Sequence, residues 1–167
     1  MLVARQSCEV SLRELAEALK TSSRMLVHHF GSRDALIAAA LDHARRQLLA
    51  RCRAQLTEQN PQDLHSLVRA LRAIVTDPVN RPYFRLFSEV NALAQTQPDR
   101  FPGFGHASVH DWLPQFTELL RPSSPDDVTA EAQATLALAV IRGLMLDDNA
   151  TGDHSRIDAA FAIFDGL

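Results

Sequence analysis

Few residues have types and spacing that could do chemistry. His106 and His110 stand four apart, a spacing that lets one helical face offer two ligands to a metal ion, and Asp111 follows. No Glu accompanies them in the H-E-x-x-H manner and no Cys is near, so solvated histidines are the simpler reading. Cys8 and Cys52 lie far apart with no C-x-x-C pair and read as simple thiols. There is no glycine-rich phosphate loop, no G-x-S-x-G elbow and no paired-carboxylate arrangement. The expectation is therefore no catalytic residue, no metal site, no cofactor and no enzyme. One cluster remains, Ser22, Ser23, Arg24, Val27, His28 and His29, with Arg33 just beyond it. Hydroxyls, a guanidinium and imidazoles on a short helix are hydrogen-bond partners for base edges and phosphates.

The elements that must hold this cluster are legible in the punctuation. Ser11-Leu12-Arg13-Glu14 is a capping box, and Leu12, Leu15, Ala16 and Leu19 follow as a helical apolar stripe. Lys20-Thr21 interrupts that stripe. Ser22 caps a second, short helix with Met25, Leu26 and Phe30 as its apolar side, and Gly31 suits the left-handed position that ends it. Ser32 caps a long helix over residues 33–57, with Asp34 favourably placed in its first turn. A helix of about eight residues is not stable alone, so the second one must pack on its neighbours and leave a polar face free. Its N-terminal residues are then placed to enter a major groove, with Arg24 as the candidate reader of a guanine.

The segment 11–37 resembles the DNA-binding signature of the tetracycline-repressor (TetR) family. The residues that carry the resemblance are Leu15-Ala16, Ser22, Leu26, His29-Phe30, Ser32, Arg33, Asp34 and Leu36. The resemblance implies that His29 and Arg33 touch phosphates. Two positions depart from the pattern: Lys20 stands where a turn glycine is usual, and Val27 where a tyrosine is usual. Only ten residues precede Ser11, so the expected first helix is truncated, and Leu15, Leu19 and Leu26 are expected to be poorly covered. Farther along, Ile141-Arg142-Gly143-Leu144 and Ala150-Thr151-Gly152-Asp153 resemble the family's penultimate helix and the turn after it.

The rest of the chain reads as helices with no period-2 strand. With 46% hydrophobic residues in 167, it can build a substantial core. Helices are marked by Leu64 to Ile74, by Tyr83 to Leu93 with Asn80 as cap, and by Val109 to Leu120 with Pro114 bending or starting it. Residues 96–105 read as a loop. A strongly apolar helix spans about 127–146, and a last one carries Ile157, Phe161 and Phe164. The fold expected is all-α: a helix-turn-helix domain over 1–45, then a helical ligand-binding and dimerisation bundle over 46–167. Charge agrees, with a balance of +3 over residues 1–60 and −6 over 61–167, which offers one basic end to a polyanion.

These readings give a ligand-responsive regulator of the repressor type. Its partners are a palindromic double-stranded operator, a small hydrophobic ligand and a second copy of the chain. Phe84, Phe87, Val90, Trp112 and Phe116 are expected to line the ligand cavity, because the region 61–120 is where the family holds ligands. Leu138, Ile141 and Phe161 are expected at the dimer interface, since the helix over 127–146 is apolar almost all round. No unbroken apolar run approaches the length of a membrane span, and no signal-peptide pattern opens the chain, so a cytoplasmic protein is expected. Two alternatives stay open: a helical-bundle enzyme or metal-binding protein using His106 and His110, and a dimeric helical protein that has lost DNA binding.

Overall fold

The computed structural model describes residues 2–5 and 7–164, which form helices and turns without a strand. The helices are α1 Leu2–Arg5, α2 Leu12–Ala18, α3 Ser23–Phe30, α4 Arg33–Gln59, α5 Leu64–Thr76, α6 Arg81–Thr96, α7 Phe104–His110, α8 Leu113–Leu120, α9 Asp127–Thr151 and α10 His154–Ala162. The all-α expectation is met. The chain divides into two compact units, Met1–Leu48 with Pro82–Gly105 and Leu49–Arg81 with His106–Leu167. The sequence-based division at residue 45 did not anticipate that Pro82–Gly105 belongs to the first unit.

In the first unit, Leu15, Ala16, Leu26, Leu36, Ile37 and Leu41 are buried together. α6 contributes Leu86 and Val90 to the same core, Phe101 follows them, and the N-terminal segment adds Leu2, Cys8 and Val10. Leu15 and Leu26 are thus each only 5% exposed, against the expectation of poor cover. The reason is that α6 and the short N-terminal segment supply the apolar surface a longer first helix would give. Leu19 does follow that expectation and is 57% exposed.

In the second unit, α9 packs on α5 and α8, and α10 packs on α9. Ala130, Ala134, Ala137 and Ile141 form the buried stripe of α9, whose three alanines let α5 and α8 approach closely. Asn80, the residue just before α6, also bonds to other parts of the unit. Its amide donates to the carbonyl of Ile74 (3.1 Å) and to Gln55 (3.0 Å), and its oxygen accepts from Arg51 Nε (3.2 Å). A side chain 2% exposed must satisfy its polar atoms, and it does so inside the unit. The helix expected over Val109 to Leu120 is two helices, because Pro114, at the second position of α8, sets a fresh start there. The expected loop 96–105 is shorter, since α7 already begins at Phe104.

Ile141 and Phe161, two of the residues expected at a dimer interface, pack within their own unit. Each is 4% exposed within the single chain, so both belong to the unit's own core; Leu138 is half-buried. The exposed apolar residues of α9 are others: Val128 at 79%, Leu136 at 50% and Leu146 at 65%. By length and composition α9 passes a test for membrane-spanning helices that core helices of other proteins also pass.

Candidate nucleic-acid interface

The sequence builds this site from three serine caps and two turns of positive φ. Ser11 and Glu14 cap α2 reciprocally: the amide of Glu14 donates to Ser11 Oγ (3.2 Å), and the amide of Ser11 donates to Glu14 Oε2 (2.7 Å). α2 ends in a Schellman turn. The amide of Lys20 donates to the carbonyl of Glu17 (3.2 Å) and that of Thr21 to Ala16 (3.0 Å). This places Lys20 at φ +53°, the conformation that favours glycine and explains why a glycine is usual there. Ser22 then caps α3, its hydroxyl accepting from the amide of Met25 (3.2 Å). Gly31, at φ +79°, closes α3 by donating to Val27 (2.8 Å). Ser32 opens α4 by accepting from the amide of Ala35 (3.0 Å).

Leu26 is the buried residue of α3. It anchors the helix, and nearly everything else faces outward: Arg24, His28 and His29 are exposed, Val27 is 42% exposed and Ser23 is half-buried. Met25 (45%) and Phe30 (41%) were expected to pack inward with Leu26 and do not. One residue per two turns suffices to seat so short a helix between α2 and α4. From Ala18 to Arg33 there is no carboxylate, while Lys20 and Arg24 project from the surface. Arg24 has no ion-pair or hydrogen-bond partner among the described residues. The cap exposes free amides at the N-terminus of α3, so this surface is electropositive from side chains and helix dipole alike.

Arg33, for which the resemblance implies a phosphate contact, makes several bonds within the unit. Its Nε donates to the carbonyl of Val10 (2.6 Å), one terminal nitrogen donates to Asp34 (2.8 Å), and the other approaches the carbonyl of Cys8 (3.5 Å) and Glu9 (3.7 Å). Arg100 completes the cluster with Glu9 at 2.7 Å and Asp34 at 3.5 Å. The guanidinium of Arg33 pins the segment before α2 onto the start of α4, so it holds the domain together. Sequence reading missed this because its partners are backbone carbonyls, which carry no residue signature.

The other expected sites are distributed as follows. Phe84, Phe87 and Val90 lie in the first unit, where Val90 is fully buried and Phe87 packs against Tyr83 (ring centroids 6.5 Å) and Phe104 (5.8 Å). Trp112 and Phe116 lie in the second unit with centroids 6.2 Å apart, Phe116 fully buried. His106 and His110 stack at 3.8 Å. Among the described residues no group of three or more His, Cys, Asp and Glu is placed to hold a metal ion. Cys8 and Cys52 are both buried, and desolvation pushes their thiols up to about 11 and about 12. Both are protonated at neutral pH, as simple thiols should be.

Two short helices joined by a tight turn, the second capped, acid-free and outward-facing, define a helix-turn-helix DNA-binding domain. Residues 2–40 match the family model described as bacterial regulatory proteins, tetR family. Residues 2–40 are thus similar to the tetR-type DNA-binding domain, which supports a DNA-binding transcriptional regulator. No curated protein and no solved structure matches it.

Proposed function

We propose that the chain is a ligand-responsive repressor that acts in the cytoplasm as a homodimer on a palindromic operator. The observation that carries the DNA half is α3: an exposed helix with a serine cap, no acid and an unpartnered Arg24. Arg24 reads a base edge. Ser22, Ser23, His28 and His29 contact phosphates or base edges near it, and Val27 offers an apolar contact to a thymine methyl. Arg33 holds α4 and the N-terminal segment in register beneath them.

The dimer half rests on α9. Val128, Ala132, Leu136, Ala139, Gly143, Leu146 and Ala150 recur at spacings of three and four and are all exposed. Apolar leucines alternating with small residues form the seam on which a second helix can close. A Cβ added at Gly143 meets nothing within 4 Å, so no residue of this chain requires the glycine. Two chains joined there present two copies of α3 to successive half-sites.

The test is enrichment of a random duplex library on the purified protein, followed by titration at several salt concentrations. Arg24→Ala should cost about 1–3 kcal/mol on the selected duplex and much less on random DNA. Equal losses on both would remove the base-reading role, and no retention of any duplex at low salt would overturn the repressor reading.

A further inference from the structure

The first unit contains a pocket of about 230 Å³. Leu15 of α2, Leu36 and Ile37 of α4, Leu86 of α6 and Leu2 of α1 make its floor, and all five are buried. It is therefore a dent that reaches the core of the DNA-binding unit. The half-exposed side is rimmed by Leu19, and by three polar groups, His43 and Gln47 on one face of α4 and Tyr83 on α6. No Lys, Arg, Asp or Glu lines it.

We propose that this pocket binds a compact, neutral, mostly apolar molecule, aromatic or alicyclic, with one hydrogen-bonding group directed to His43, Gln47 and Tyr83. The size argues for about ten heavy atoms, since an apolar cavity of about 150 Å³ already accepts benzene. The chemistry argues for neutrality: a charged ligand would leave water for an apolar floor without an opposite charge to meet it. One polar edge over an apolar floor is the usual division of labour in small-molecule sites, in which the apolar part supplies affinity and the few polar groups fix orientation. Because the floor takes residues from α2 and α4, which flank the exposed helix α3, occupancy acts directly on the helices that present Arg24. That consequence for DNA rests on the repressor reading; the binding does not.

Indole is a suitable probe, titrated by calorimetry into the full chain, with benzoate as a charged counterpart of similar size. Indole should bind with a Kd of about 0.1 mM, a modest value for so small a ligand, and benzoate at least tenfold more weakly. Ala40→Phe, which adds a ring to the pocket wall, should weaken indole tenfold or more while helicity is retained. Tyr83→Phe should weaken it about threefold. Leu19→Ser, at an exposed rim position, carries the same test if Ala40→Phe does not fold. Unchanged affinity in the folded variants, equal binding of benzoate, or no heat at millimolar indole would overturn the proposal. Indole binding by a protein that retains no DNA would leave the pocket standing and remove the repressor reading instead.

Discussion

Lys20 sits at φ +53° with its side chain in solvent, in the one position of the α2–α3 turn that a Schellman ending forces into the left-handed region. A side chain there costs about 1–2 kcal/mol against glycine, partly offset by the extra freedom glycine gives the unfolded chain. Lys20→Gly should therefore raise unfolding stability by about 0.5–1 kcal/mol in urea titrations; a loss of stability would show that the turn is not strained. Arg33 makes the opposite case. Its charged donors hold the carbonyls of Val10 and Cys8, and such bonds contribute about 1.5–3 kcal/mol each where they are well made. Arg33→Met should destabilise the folded protein by about 2 kcal/mol and leave the salt slope of DNA binding unchanged. A slope lowered by about one, with stability intact, would return Arg33 to the phosphate role. Reading the sequence singled out both positions, Lys20 for standing where a turn glycine is usual and Arg33 for its place in a pattern. It could not supply the conformation of one or the partners of the other, because both depend on backbone groups.

At the scale of elements, what was legible is what local chemistry determines. The caps at Ser11, Ser22 and Ser32 and the stop at Gly31 form the hydrogen bonds their residue types suggest. What was illegible depends on partners distant in sequence: the outward tilt of Met25 and Phe30, the burial of Asn80, the cover α6 gives to Leu15. The caps also make a prediction about acid. Asp63 accepts from the amide of Ser66, and Asp126 from the amide of Thr129; both carboxyls are held below their ordinary 3.8. Hydrogen bonds from Arg45 to Asp42, from Arg156 to Asp147 and from Ser155 to Asp153 act in the same direction. A carboxyl with a depressed folded value stabilises the fold above its unfolded value and loses that contribution as pH falls through the folded one. Thermal stability should hold from about pH 7 to about pH 5 and decline below about pH 4. Asp63→Asn with Asp126→Asn keeps cap-forming side chains, so the double variant should remain folded at neutral pH and lose less on acidification. An undiminished acid decline in that variant would place the titrating groups elsewhere.

At the scale of the molecule, the single chain leaves α9 incomplete. One stripe, Ala130, Ala134, Ala137 and Ile141, is buried against α5 and α8, while Val128, Leu136 and Leu146 face outward at 79%, 50% and 65% exposure. Exposed leucines in a register with Ala132, Ala139 and Gly143 are what a second helix would cover, and a two-fold axis lets the same stripe meet itself. Two substitutions separate this from a helix that is merely apolar. Leu136 is 50% exposed, so Leu136→Asp should leave the helices intact; light scattering should show a monomer where the parent is a dimer, since an unpaired charge in a closed interface costs about 3–5 kcal/mol. Gly143→Ala is the sharper probe. In an unpartnered helix, replacing an interior glycine by alanine stabilises by about 1 kcal/mol, and here nothing within the chain opposes the added methyl. Where a partner backbone approaches closely, the same methyl obstructs it and weakens association. Dissociation measured by dilution should therefore become easier in Gly143→Ala even as the helix itself becomes more stable. A tighter dimer in that variant would move the contact off this face of α9, and a parent that is monomeric at micromolar concentration would overturn it.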